Sequence, residues 1–104
     1  MTRIYQKMFV NKSDIDEYIK RHQNIWEEMK QGLKEYGVSD YKISIDRQNG
    51  VVFSTLDVND VGKYKEFSKT SICKKWWHYM APIMSVKDNE EPITENLEEA
   101  FYLE

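Results

Sequence analysis

The sequence has little cysteine, no large excess of either charge and no long apolar run. Cys73 is the single cysteine, which excludes an internal disulfide and any metal site built from several thiolates. A lone cysteine also suits a reducing compartment, and we expect this one to be a small buried apolar residue. Neither a disulfide nor a thiolate metal centre is therefore expected to stabilise the chain.

The charges nearly balance, with 15 basic and 18 acidic residues and a formal net charge of -3. Such a chain has no positive field to attract a phosphate backbone, so nucleic acid is not an expected partner. No stretch approaches the roughly 18 apolar residues that cross a membrane, and the N-terminus has no apolar segment of signal-peptide length. We therefore predict a cytoplasmic protein without a membrane partner.

The length and the first half of the sequence predict one domain that begins with a strand and a long helix. A chain of 104 residues supports a single core, so the domain is expected to span residues 1–104. Alternating apolar residues predict a strand at 3–10. Apolar positions at helical spacing then predict one helix over 14–36, ended by Gly37. Ser13, followed three residues later by Asp16, resembles a capping box at its start.

The middle of the sequence predicts a β-hairpin. Residues 41–46 alternate between apolar and polar, and residues 51–58 are rich in β-branched and aromatic side chains. The Asn49-Gly50 pair between them is a strong signal for a tight hairpin turn. Two further strands are therefore expected here, with Tyr41 entering the first of them beside the long helix.

The last part of the sequence predicts a second helical region and a polar tail. Apolar residues at helical spacing run through 59–81, and Pro82 should end the helix because the residue before a proline disfavours helical geometry. Residues 87–99 are polar and acidic, which indicates a solvated loop with one helical turn. Residues 100–104 predict a short closing strand.

The resulting order, β-α-β-β-α-β, predicts an α+β fold. This order forms an antiparallel sheet with both helices on one face, the ferredoxin-like arrangement. The other face would carry either Tyr5 and Phe9 or Ile4 and Met8, with part of the hairpin. Such a face borders a ligand cavity or packs against a second copy of the chain. We favour a homodimer.

Aromatic residues and one histidine share a face of the predicted long helix. Tyr18, His22 and Trp26 are spaced i, i+4 and i+8, which aligns them along one line of the helix. Trp76 and Trp77 stand about 100° apart around the second helix, so at least one borders the sheet. Each of these residues could equally be an ordinary member of the core, since aromatic residues at helical spacing most often are.

If these residues form a site, their chemistry suits a sugar. Aromatic rings pack on the C–H face of a small ring, phenol and indole groups bind hydroxyls, and one imidazole titrates near neutral pH. No nucleophile accompanies His22, because Ser13 and Cys73 lie on other elements, and no apolar carboxylate pair indicates a glycosidase. The second histidine, His78, is 56 positions away and completes no metal ligand set. Proton transfer alone is the chemistry that this inventory supports.

Three separated motifs resemble a known family over nearly the whole chain. They are "EYIKRHQNIWEEM" at 17–29, "SICKKWWHYM" at 71–80 and "EAFYLE" at 99–104. In these the sequence is similar to the L-rhamnose mutarotases, aldose 1-epimerases of the dimeric α+β barrel type. It departs from the family at Asn24, Glu27 and Glu104, where prolines are usual or common.

The resemblance implies a function, a partner and a set of site residues. It implies interconversion of the α and β anomers of L-rhamnose by ring opening and closure, with His22 as catalytic proton donor. It further implies that Tyr18, Tyr41, Trp76 and Trp77 bind the sugar, and that a homodimer is joined through its terminal strands. Because no redox change occurs and no carbon–hydrogen bond breaks, we expect no cofactor and no metal.

Other functions remain open at this point. The same pocket could serve another 6-deoxy sugar such as L-fucose, because the proton chemistry does not depend on which hydroxyls are axial. The same fold could also belong to a non-mutarotase protein that binds or oxidises an aromatic or haem-like ligand, as monooxygenase-type dimeric barrels do. A purely structural dimerisation module is the third alternative.

Overall fold

The computed structural model describes residues 1–104 as four strands and four α-helices. The strands are β1 (Thr2–Phe9), β2 (Val38–Asp46), β3 (Val51–Val58) and β4 (Glu95–Leu97). The helices are α1 (Ile15–Gln23), α2 (Glu27–Glu35), α3 (Val61–Glu66) and α4 (Ser71–Met80), with 3₁₀ turns at Lys12–Asp14, Phe67–Lys69 and Ala81–Ile83. None of the helices has the length and apolarity that a bilayer-crossing segment requires.

The strands form one antiparallel sheet in the order β2-β3-β1-β4. This is the ferredoxin-like order, so the predicted α+β fold is confirmed. Side chains alternate between the two faces of a strand, and Met8 and Val52 face the helices within the main core. Tyr5 and Phe9 therefore lie on the opposite, helix-free face. There Phe53 is 41% exposed, and Leu97 on β4 is 42% exposed.

The prediction of a single helix over 14–36 is wrong, because this segment forms two helices, α1 and α2. Trp26 has an extended backbone (φ -61°, ψ 138°), which interrupts the helical hydrogen bonds. The Asn24 side chain donates to the Lys20 carbonyl oxygen at 2.9 Å, a bond that competes with the helical ladder. The apolar spacing hides this break because both helices pack on the same core. Notably, the break occurs here although Asn24 and Glu27 replace the family's usual prolines.

The predicted capping box at the start of the first helix is also wrong. Ser13 lies inside the 3₁₀ turn Lys12–Asp14, and α1 begins after Asp14 without any side-chain cap. Two later helices do have side-chain caps. Asp60 accepts a hydrogen bond from the Lys63 amide at 3.1 Å, and Thr70 accepts one from the Cys73 amide at 3.3 Å.

Strand β2 begins three residues before the predicted start at Tyr41. The additional residues contain an irregularity between Ser39 and Lys42, where Asp40 has a positive φ of 47°. Arg3 on β1 donates to the Asp40 carboxylate at 2.6 Å and stabilises this geometry. The helical region after the hairpin likewise contains two α-helices. The second, α4, ends at Met80, close to the predicted end, and a 3₁₀ turn that contains Pro82 follows it.

The tail differs most from its prediction. Residues 87–99 contain strand β4 and no helix, and residues 100–104 form no strand. Strand β4 forms because residues 95–97 reach the free edge of β1, where Leu97 pairs with Tyr5. Lys7 and Glu95 are also opposite each other there and form a 3.8 Å ion pair. The predicted closing strand was thus placed about five residues too late.

Candidate active site

A cavity of about 610 Å³ lies between the helices and the helix-facing side of the sheet. Its walls are mostly apolar, and all four helices, strands β1 and β2 and the loop after α4 contribute to them. All five residues predicted for the site lie on this wall, namely Tyr18, His22, Tyr41, Trp76 and Trp77. The fold therefore brings together side chains from α1, β2 and α4, although their roles remain predictions.

His22 lies near the end of α1, and one of its two ring nitrogens already makes a hydrogen bond. Its Nδ1 lies 3.0 Å from the Tyr18 carbonyl oxygen, so Nδ1–H donates to that oxygen in the neutral ring. Nε2 is left as the nitrogen that can take up and deliver a proton. Burial lowers the pKa of His22 below its usual 6.5, and the bond to Tyr18 partly opposes this.

Aromatic rings surround the imidazole. The Tyr18 ring centroid is 4.3 Å from that of His22, and Trp76 meets it edge-on at 5.4 Å. Trp76 is only 7% exposed, and a second edge contact joins it to Trp26 at 5.1 Å. These contacts leave the imidazole little freedom to rotate. Trp76 and Trp77 both border the cavity. Their adjacent positions on a helix had predicted only that at least one of them would face the sheet.

Two phenols add neutral hydrogen-bonding groups to the wall. Burial raises the pKa of Tyr18, and burial together with the neighbouring Tyr64 and Tyr18 raises the pKa of Tyr41. Tyr41 is 38% exposed because it lies on β2, an edge strand of the sheet. Both phenols therefore keep their protons near neutral pH and can donate them in hydrogen bonds to a ligand.

Two residues from the aromatic pattern lie away from the cavity. Trp26 packs behind Trp76 and against Tyr79, at 5.3 Å between ring centroids, so it supports the wall without forming it. His78 is exposed, and its Nδ1 contacts the Glu90 carboxylate at 2.9 Å. Of the two histidines, His22 alone borders the cavity.

Sequence reasoning missed several polar residues of the cavity. Gln6 and Tyr64 border it, as do Glu91 and Thr94 from the loop before β4. Gln6 could have been found from strand alternation, because it shares a face with the buried Met8. The loop residues gave no comparable signal, since their position depends on how the tail folds back. No group of three or more histidine, cysteine, aspartate or glutamate residues could hold a metal ion.

A family model described as L-rhamnose mutarotase matches residues 3–103. The chain belongs to the L-rhamnose mutarotase family. It is 42% identical to an L-rhamnose mutarotase of Lactiplantibacillus plantarum and 36% identical to one of Bacillus subtilis, with all of each chain covered in both cases. The resemblance of the three sequence motifs is confirmed, and the protein is an isomerase of the carbohydrate-acting class.

Solved structures agree with the fold of this mutarotase family member. The crystal structure of an L-rhamnose mutarotase from Formosa agariphila matches with a TM-score of 0.91 at 38% identity, and covers all of both chains. A crystal structure of an antibiotic biosynthesis monooxygenase matches with a TM-score of 0.64 at 11% identity, over 96% of this chain and 99% of that one. The second likeness shows the fold alone. It gives no support to a monooxygenase function.

Proposed function

We propose that the protein interconverts the α and β anomers of L-rhamnose, with His22 as the proton-transfer group. The observation that carries this proposal is the geometry of His22. Its Nδ1 is occupied by the Tyr18 carbonyl, and its ring borders an aromatic cavity that the family's predicted sugar-binding residues also line. General acid–base catalysis by such a group accelerates a reaction by about 10²–10⁴-fold.

The reaction requires two proton transfers and no change of oxidation state. A proton leaves the anomeric hydroxyl while another reaches the ring oxygen, so that the C1–O5 bond opens to the free aldehyde. Rotation about C1–C2 and closure on the other carbonyl face reverse both transfers. We assign His22 Nε2 as the acid toward the ring oxygen. The raised pKa values of Tyr18 and Tyr41 favour water, over either phenolate, as the other proton acceptor.

Trp76 and Trp77 are proposed to hold the sugar ring. Indole faces pack well against C–H groups, and the C6 methyl group of rhamnose suits the apolar part of the same wall. Tyr18 and Tyr41 are proposed to donate hydrogen bonds to sugar hydroxyls. With the reacting sugar oxygens beside His22, the ring would be surrounded by side chains from α1, β2 and α4.

Anomeric exchange by NMR tests the proposed function. Magnetisation transfer between the α and β anomeric protons of L-rhamnose should accelerate when the protein is added, with measurements on both sides of the His22 pKa. L-fucose, measured in parallel, should exchange more slowly at the same protein concentration. Rhamnose exchange that stays at the buffer rate with folded protein would refute the assignment, and fast exchange of fucose alone would move it to that sugar.

We also propose that the protein is a homodimer joined through the helix-free sheet face. Phe53 and Leu97 are exposed on that face, and Phe101, Tyr102 and Leu103 of the tail are exposed by 71–80%. A monomeric protein rarely leaves an apolar sheet face uncovered. A second copy, which presents the same surface, is the natural occupant in a two-fold symmetric dimer.

Substitution of Phe53 by glutamate should convert the dimer to a monomer. The new carboxylate would be desolvated at the interface, whereas in the monomer it faces Lys7 across the ladder and should not disturb the fold. Light scattering after size exclusion gives the mass directly. Gln31→Glu on the exposed side of α2 makes the same charge change and should leave the dimer intact. A dimeric Phe53→Glu protein would exclude this face as the interface.

A reducing, cytoplasmic location is a further proposal. Its support is that the chain contains one free cysteine, Cys73, which is buried within the core. Burial raises the pKa of the Cys73 thiol, with Glu91 as a second cause, so the thiol is poorly reactive near neutral pH. Fractionation of cells that contain the protein would test the location.

A further inference from the structure

Two polar residues interrupt the apolar surface of the sheet beneath the cavity. Gln6 on β1 pairs with Ser54 on β3, and Ser54 pairs with Ile43 on β2, so the three form one row across the sheet. The next helix-facing pair along β1 and β3 is Met8 with Val52, both buried and apolar. A polar pair within such a surface is costly unless its hydrogen bonds are satisfied.

Neither residue of the pair is satisfied within the protein. Ser54 is 4% exposed, and its Oγ has no hydrogen-bond partner. Tyr41 is close enough for the Ser54 hydroxyl to oppose the rise in the Tyr41 pKa, although the two hydroxyls do not meet in a well-formed hydrogen bond. The Gln6 side chain makes no hydrogen bond to the protein and borders the cavity. Its amide therefore has both a donor and an acceptor available to a ligand.

One end of this row, the end on β2, lies nearer to His22 than the other. Ile43, at the β2 end, borders a smaller cavity of about 230 Å³ together with His22, which places the imidazole near that end. Gln6 is two strands away, a separation of about 10 Å at the usual strand spacing. A pyranose with C1 and O5 beside His22 would point the opposite side of its ring, carbons C3 and C4, toward Gln6.

We infer that Gln6, whose amide is free within the cavity, binds the sugar hydroxyls on C3 and C4 and thereby selects the aldose. This inference rests on the proposed mutarotase function. A carboxamide suits a vicinal diol, because its oxygen accepts from one hydroxyl while its nitrogen donates to the other. A site built to bind a hydroxyl group discriminates against sugars that misplace it, since its own polar groups are then left unpaired.

Sugars that differ from L-rhamnose at one carbon test this inference. The wild-type protein should prefer L-rhamnose over its C4 epimer, 6-deoxy-L-talose. Gln6→Met keeps the size of the side chain and removes the amide. It should raise the KM for L-rhamnose about tenfold, the usual effect of losing a hydrogen bond, and bring the two sugars close to equal. Because C2 is adjacent to the reacting carbon and lies away from Gln6, the preference over the C2 epimer, 6-deoxy-L-glucose, should not change.

Three controls separate binding from structural damage. Ile43→Val alters an apolar member of the same row and should leave the C4 preference unchanged. The change in tryptophan fluorescence on addition of L-rhamnose measures affinity without reference to turnover, because Trp76 and Trp77 border the cavity. That affinity should weaken in Gln6→Met, while the pH profile of kcat, which depends on His22, should not move.

The outcomes distinguish this inference from the function on which it rests. If the wild-type protein does not accelerate exchange of L-rhamnose, the proposed function fails and the inference fails with it. If the wild-type protein is active and Gln6→Met, folded by circular dichroism, keeps both its KM and its C4 preference, the mutarotase function stands and the role of Gln6 is refuted. An equal loss of C4 and C2 preference would likewise overturn the assignment to C3 and C4.

Discussion

Replacing His22 with glutamine is expected to slow enzymatic exchange of L-rhamnose anomers by about 10²–10⁴-fold, the usual contribution of general acid–base catalysis. Glutamine has nearly the size of histidine and can still donate to the Tyr18 carbonyl, which His22 Nδ1 contacts at 3.0 Å. It cannot carry a proton from one sugar oxygen to another. The measurement is magnetisation exchange between the anomeric protons at matched concentrations of folded protein.

The second histidine provides a matched control for this prediction. His78 is exposed and contacts only Glu90 outside the cavity, so His78→Gln should retain full activity. The wild-type kcat/KM should fall as the pH rises through the pKa of His22, because the proposed acid is then lost. Burial places that pKa below 6.5, and the inflection should disappear in His22→Gln. Full activity in His22→Gln would show that another group transfers the proton, and it would refute the mechanism.

Truncation of Trp76 to alanine is expected to destabilise the protein by about 3–5 kcal/mol, the usual cost of removing a large buried aromatic side chain. Trp76 is nearly fully buried and contacts the rings of His22, Trp26 and Tyr79. Its loss would leave a cavity beside His22, where the surrounding helices can collapse only partly. Urea unfolding followed by circular dichroism gives the free energy of unfolding.

Trp77 serves as the comparison for Trp76, because it is the next residue on α4 and is only partly buried. Trp77→Ala should remain much more stable than Trp76→Ala, yet its affinity for L-rhamnose should fall about tenfold through the lost stacking. Equal destabilisation by the two substitutions would show that Trp77 acts mainly in the core. An unchanged affinity in a folded Trp77→Ala protein would remove it from the sugar site.

Much of the site was predictable because helical periodicity operates over short distances. Tyr18 and His22 are four residues apart, and a single helix turn is enough to bring them onto one face. The adjacent tryptophans of α4 are likewise close in the sequence. Tyr41 depended on the resemblance to the family, since its strand begins with an irregularity at Asp40 that alternation alone does not reveal.

The errors concern features that nearby residues do not determine. The chain breaks between α1 and α2 because Trp26 adopts an extended backbone, and the unbroken apolar spacing concealed this. Strand β4 forms where Leu97 meets Tyr5, a partner more than 90 positions away in the sequence. The strand has only three residues, two of them polar, so it forms only because the free edge of β1 is there to pair with it.

The sequence by itself determined the α+β class of the fold and the chemistry available to the site, because periodicity and residue type act locally. It also identified the family, through three motifs in the right order. Only the tertiary structure decided that side chains from α1, β2 and α4 border one cavity. It alone placed Gln6 at the cavity wall, opposite the unsatisfied Ser54 on the neighbouring strand. The physical reason is that such contacts join residues tens of positions apart, and they form only when the strands pair in one register and the helices pack above them.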